Sequence, residues 1–353
     1  MLRRYLHPRL ASLAALAGFA LSLSGAAALG AESPGTLLVA PGSARQGDPV
    51  LVWALSTADL KDSELLLVDA GSVAVERSRA FAAPASLLAG ATSTGAAAPA
   101  AGTVSAAGAT SPAPKVALFG YLMAIPDELE SGSYRLVLEG AGSPVSQSFV
   151  VDPRHFPLER IALDRENSDL LSKPDPRKIA ESRVLDALVA RVDDKAVFID
   201  SGDFLRPVTP LRTTAGFGDR RRYLIAGGGS ESSVHNGEDL AVVTGTPVLA
   251  CERGKVVMCA DREVTGLTVV VEHLPGLYSL YFHLSSIAVS EGQMVERGER
   301  LGLSGSTGLS TGPHLHWELI AAGRAVDPEH WVGAPLLDTK RIATTIPSLL
   351  EGR

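Results

Sequence analysis

Apolar residues reach this chain in short runs cut off by glycine, proline and other turn formers. From Thr36 to Val151 the runs are LLVA, PVLVWAL, ELLLVDA, KVALFGYLMAI, SYRLVLEG and VSQSFVV; between Leu211 and Gly333 they are PVLA, KVVMCA, LTVVVEH, YSLYFHL and HWELI. Most have strand length, and several alternate, as in Tyr134, Leu136 and Leu138. A mainly β chain is predicted, with a small antiparallel sandwich in the first half and an antiparallel sheet in the second.

At 353 residues the chain is long enough for two domains. A hydrophobic share of 46% against 20% charged residues supplies material for buried cores. The formal charge is −7, and it falls to −10 without the first thirty residues, which hold Arg3, Arg4 and Arg9 and no acid. So acidic a chain is a poor nucleic-acid binder, and no nucleic-acid partner is expected.

The amino terminus reads as an export signal over residues 1–31: a basic start at Arg3 and Arg4, an Ala/Leu-rich core from Leu10 to Leu23, then small residues to Ala31. After cleavage no membrane span is expected, and the protein would lie in the periplasm or cell envelope. The alternative is an uncleaved anchor, since the apolar stretch from Leu10 to Leu29 nearly reaches the ~20 residues of a span.

Residues 89–114 are almost pure Ala, Gly, Ser, Thr and Pro, and are expected to form a flexible loop inside the sandwich at 32–157. A connector at 158–210 should hold a helix that starts at Asp175 and Pro176, with Val184, Leu185, Leu188, Val189 and Val192 on one face. Residues 211–333 form the second domain, and the tail at 334–353 carries no motif. The only cysteines, Cys251 and Cys259, would form a disulfide in an exported protein or remain two buried thiols.

Six of the eight histidines fall between His235 and His330. In HLHWELI, strand alternation puts His314 and His316 on one face and Leu315 and Trp317 on the other. That spacing lets one imidazole bind a metal while the other stands beside the metal-bound water; two exposed surface histidines is the plainer reading. His235 and Asp239, in VHNGEDLA, would lie ~13 Å apart on a straight strand, too far to share an ion. The backbone must bend between them, and Gly237 permits it. GLSGSTGLSTGPHLH is a turn-forming loop and no phosphate cradle, lacking the GK[ST] ending and a following helix.

Taken together, HNGEDLAVVTGTPVLA, YSLYFHLSSIAVSEGQMVERGERLG, GSTGLSTGPHLHWEL and AVDPEHW resemble the successive signature blocks of the lysostaphin/LytM-type zinc metallopeptidases, in order, across about a third of the chain. The resemblance implies one Zn²⁺ held by His235, Asp239 and His316, with His283 and His314 as catalytic groups flanking the reacting water and carbonyl. It departs from the family at Phe282, where a small residue is usual, and between Gly216 and His235. The implied activity is a zinc endopeptidase acting on peptide bonds in the stem or cross-link peptides of peptidoglycan, in cell-wall remodelling. A non-catalytic LytM-like regulator of another wall hydrolase is the alternative, and the complete ligand set weighs against it. The remaining histidines, His7, His155, His273 and His330, carry no expected role. The stretch from Gly35 to about Pro157, chiefly AIPDELESGSYRLVLEG and HFPLERI, also resembles the immunoglobulin-like module that precedes some of these peptidases, which implies a spacer or positioning part.

Overall fold

A computed structural model describes residues 35–83, 116–140, 142–199, 203–337 and 342. The expected export signal and the expected loop at 89–114 lie outside the described residues. The fold is mainly β, as the short apolar runs predict.

The first strands are β1 (Thr36–Val39), β2 (Ser43–Arg45), β3 (Pro49–Ser56), β4 (Glu64–Val68), β5 (Ala74–Arg79), β6 (Phe81–Ala82), β7 (Ala117–Ala124), β8 (Gly132–Glu139) and β9 (Val145–Asp152). They form two sheets, ordered β1-β3-β7-β6 and β2-β9-β8-β4-β5. Alternate residues of both sheets close one core: Val50, Val52 and Ala54 from β3 and Tyr121 from β7 meet Leu65, Leu67, Leu136, Leu138 and Phe149. Burying such side chains contributes about 25 cal/mol per Å² of apolar surface, which is what holds the two layers face to face.

The connector supplies β10 (Leu158–Ala162) and two helices, α1 (Arg165–Ser172) and α2 (Pro176–Val189). Asp164 caps α1 by accepting from the Asn167 amide, and Asp175 caps α2 by accepting from the Arg177 amide, with Pro176 in the first turn. The second helix is the expected one, but its expected face is corrected. Leu185 and Val189 are buried along with Lys178 and Ser182, whereas Val184 and Val192 are 59% and 61% exposed. Lys178 Nζ donates to the carbonyls of Leu170 and Lys173, so a polar side chain occupies a place the apolar pattern had assigned elsewhere.

The remaining strands are β11 (Arg212–Ala215), β12 (Arg220–Leu224), β13 (Ser230–Val234), β14 (Gly237–Ala241), β15 (Pro247–Leu249), β16 (Gly254–Arg262), β17 (Gly266–Leu274), β18 (Leu277–Ile287), β19 (Met294–Val295), β20 (Arg300–Ser304), β21 (His314–Ala321) and β22 (Arg324–Val326). Most join an antiparallel sheet whose spine runs β11-β14-β21-β18-β17-β16-β19. One face of that sheet, with Leu240, Leu315, Trp317 and Leu319, turns into the main core around Phe204 and Trp331. On the other face, Tyr278, Leu280, Phe282 and Ile320 pack under Leu185 and Val189 of α2. The connector helix therefore walls one side of the face that carries His314 and His316.

β10 pairs in parallel with β12, which pairs with β13, so a strand immediately after the sandwich joins a separate three-stranded sheet whose last strand, β13, leads into β14. Charge reinforces this junction: Arg154 reaches Asp48 at 3.3 Å and Asp327 at 2.8 Å, and His330 lies 3.2 Å from Asp48. The tail is not idle, since Leu336 and Leu337 are buried and Trp53 Nε1 donates to the Leu336 carbonyl.

Both cysteines are free thiols, so of the two readings left open the disulfide is the one that does not form. Cys251 is enclosed by Tyr281, whose hydroxyl donates to Sγ at 3.1 Å, while Cys259 points to the Val289 carbonyl. No helix among the described residues is long and apolar enough to cross a membrane.

Candidate metal centre

Three elements converge to build the site. His235 follows β13, Asp239 lies in β14, and His316 lies in β21, directly opposite Asp239 in the antiparallel register. The bend expected between His235 and Asp239 is the junction of β13 and β14. Gly237 serves there in a way the spacing did not indicate, because a Cβ on it would stand 2.2 Å from the Trp317 carbonyl oxygen. Close approach of β14 to β21 demands the glycine.

The three ligand-type atoms meet at short range. Asp239 Oδ1 is 3.1 Å from His235 Nε2 and 2.7 Å from His316 Nδ1, and the two nitrogens are 3.0 Å apart. Each histidine's other nitrogen is engaged: His235 Nδ1 lies 2.7 Å from the Gly216 carbonyl and His316 Nε2 lies 2.9 Å from Glu318 Oε1. An oxygen acceptor at each of these nitrogens fixes the proton there, which leaves lone pairs on His235 Nε2 and His316 Nδ1 facing each other and a carboxylate oxygen. Three inward electron pairs repel unless a positive charge sits among them. Among the described residues, His235, Asp239 and His316 form the group able to hold a metal ion, their ligand atoms all within 4.8 Å of one another.

The electrostatics point the same way. Burial alone would pull His316 down, yet hydrogen bonds to Asp239 and Glu318 push it up to about 9, so the position favours positive charge. Burial would raise Asp239, but His235 and His316 hold its carboxyl well below the usual carboxylate range. Burial keeps His235 neutral by lowering it. A proton takes that place without a metal, and two imidazoles and a carboxylate converging on one point match the donor set of a catalytic zinc rather than a structural one.

His283 and His314 stand beside this group, their ring centroids 4.8 Å apart and His283 6.1 Å from His316. His314 Nε2 is 3.6 Å from Asp239 Oδ1. Both are oriented by one loop between β20 and β21: His283 Nδ1 meets the Thr307 carbonyl at 2.7 Å and His314 Nδ1 meets the Gly312 carbonyl at 2.8 Å. Nε2 is thus the nitrogen left to each for proton exchange. His283 has φ 58°, a left-handed conformation unusual for a non-glycine residue, at the point where β18 leaves β21 after Phe282 and joins β20 at Leu284. Burial and the neighbouring His314 and His316 bring it down to about 3, so it is neutral at physiological pH.

All five predicted site residues are therefore brought together. Phe282 is 4% exposed and packs beneath α2, so its place is in the core and against His316. The sequence reading missed Arg221, whose guanidinium pairs with Asp239 Oδ2, and Glu318, which holds His316. Glu318 had a signal, since strand alternation continues from His314 and His316 to 318; Arg221, buried within RRRY, had none.

With the geometry in place, the comparisons are specific. Residues 233–328 match peptidase family M23, and the chain carries an M23 domain of the lysostaphin/LytM type. Among its relatives, Peptidoglycan DD-endopeptidase ShyA of Vibrio cholerae is 44% identical over 116 residues, covering 33% of this chain and 26% of that protein. DD-carboxypeptidase/endopeptidase Mpg of Neisseria meningitidis is 36% identical over 137 residues, covering 38% and 31%. The chain thus spans about a third or less of the length of these relatives. A solved putative peptidase M23 from Pseudomonas aeruginosa is 26% identical, with 76% of this chain and 93% of that chain covered at a TM-score of 0.47.

Proposed function

We propose that this protein is a zinc-dependent endopeptidase that hydrolyses peptide bonds in the stem or cross-link peptides of peptidoglycan. The observation that carries the reading is the convergence of His235 Nε2, Asp239 Oδ1 and His316 Nδ1, with both imidazole tautomers fixed from behind. One Zn²⁺ held by these three residues would lower the pKa of a bound water toward ~7 and polarise the scissile carbonyl. His283 and His314 act on protons: each keeps Nδ1 on a backbone carbonyl and offers the Nε2 lone pair to take a proton from the attacking water and return it to the leaving amine. Residues 32–157 serve as an immunoglobulin-like positioning module, residues 158–210 as a connector, and residues 211–333 as the peptidase domain. The export-type amino terminus supports a place in the periplasm or cell envelope, where the substrate lies.

The names of the relatives support peptidoglycan as substrate. Incubating purified peptidoglycan with zinc-loaded protein and analysing the soluble fragments by mass spectrometry tests the reading. Fragments cut within their peptides, each with a new amino group, are expected. Zinc-loaded protein that cuts no peptidoglycan, yet stimulates a second wall hydrolase, would replace this reading with that of a regulator.

A further inference from the structure

The carboxylate of Asp239 has its two oxygens in different company. Oδ1 faces His235 and His316, while Oδ2 is taken by the guanidinium of Arg221. Along β12, alternation turns Arg221 and Tyr223 inward and leaves Arg222 exposed. Arg221 has a second acid behind it: its Nε lies 3.4 Å from Oε2 of Glu159, its cross-strand partner on β10. That contact attracts by charge without the alignment of a hydrogen bond, because Nε and Oε2 are both buried and neither makes one. Neither residue lies in the matched M23 region, and Glu159 belongs to the connector strand that follows the sandwich.

We propose that Arg221 is a positioning residue, braced by Glu159, that occupies Asp239 Oδ2 and so presents only Oδ1 to the metal. The inference rests on the reading of His235, Asp239 and His316 as ligands. A free carboxylate can swing or bind through both oxygens, which would use the position that the reaction needs for water. A guanidinium N–H held on one oxygen removes that freedom and leaves the ligand a fixed direction. The paired acid on β10 keeps the guanidinium in place, so the connector contributes to the site as a brace.

The test is zinc affinity, measured by competition with a chromophoric chelator on the full chain, alongside the melting temperature of the metal-free protein. Arg221→Gln should weaken zinc binding about 10- to 100-fold, the scale on which residues behind metal ligands act, while the metal-free protein still unfolds in one cooperative transition, at a lower temperature because Asp239 loses a cation. Arg221→Lys, which keeps the charge and loses the planar group that reaches Asp239 and Glu159 together, should recover part of that loss. Cobalt-substituted Arg221→Gln should also absorb more weakly in the visible as the carboxylate turns bidentate. Should Arg221→Gln not fold, Glu159→Gln, at a side chain 39% exposed, carries the test with an expected several-fold loss. Affinity within two-fold of wild type in the folded variant overturns the inference. Wild-type protein that takes up no zinc overturns the metal reading itself, and the inference with it.

Discussion

The imidazole of His316 lies flat against the ring of Phe282, with centroids 5.3 Å apart and planes 6° from parallel. The two residues are cross-strand partners on β21 and β18, so the sheet register itself sets the stack. Together with the Nε2 contact to Glu318, it fixes both the tilt and the rotation of the imidazole.

Replacing Phe282 should therefore loosen the sheet beneath α2. Phe282→Ala should cost about 3–5 kcal/mol in denaturant unfolding, as a buried aromatic truncation does, and Phe282→Leu should cost appreciably less. A loss under about 1 kcal/mol for Phe282→Ala would show that the ring is not packed as described.

Much of the site was legible because local spacing carries it. Alternation places His314 and His316 on one face, and a Pro176 start marks α2. What was not legible depends on contacts between distant segments. Arg221 reaches Asp239 from a strand of a different sheet, and Gly237 is required by a neighbouring carbonyl instead of by a turn. The helical face failed at Val184 and Val192 because periodicity counts apolar residues without knowing where the sheet ends. Cys251 and Cys259 looked pairable by compartment, yet one thiol turns to Tyr281 and the other to Val289.

The histidines should divide by role. His316→Ala and Asp239→Ala should lower zinc content measured by elemental analysis. His314→Ala and His283→Ala should retain the metal and lose turnover by ~10²- to 10⁴-fold. Equal zinc loss from His314→Ala and His316→Ala would mean the two positions are wrongly assigned.

The thiols should differ in reactivity. Burial pushes the Cys251 thiol up to about 12, so at pH 8 roughly one part in ten thousand is thiolate, and Cys259 is raised by burial as well but is partly exposed. Native protein should show at most one slowly reactive thiol with a colorimetric reagent, and denatured, unreduced protein should show two. No reactive thiol after denaturation would reveal a disulfide.

Arg154 ties the sandwich to the second half through the buried Asp48 and Asp327. Arg154→Ala removes one of several partners, since Arg45 reaches both carboxylates and His330 reaches Asp48, and should cost about 1–3 kcal/mol in thermal or denaturant unfolding. A loss under about 0.5 kcal/mol would place the junction's stability in its apolar contacts alone.

In the proposed reaction, one ion held by His235, Asp239 and His316 enables peptide-bond hydrolysis. Metal-free protein titrated with Zn²⁺ while new amino groups are counted from purified peptidoglycan tests it most directly. No release is expected without metal, and release should saturate at one zinc per chain; zinc bound at that ratio with no amino groups released would overturn the proposed activity.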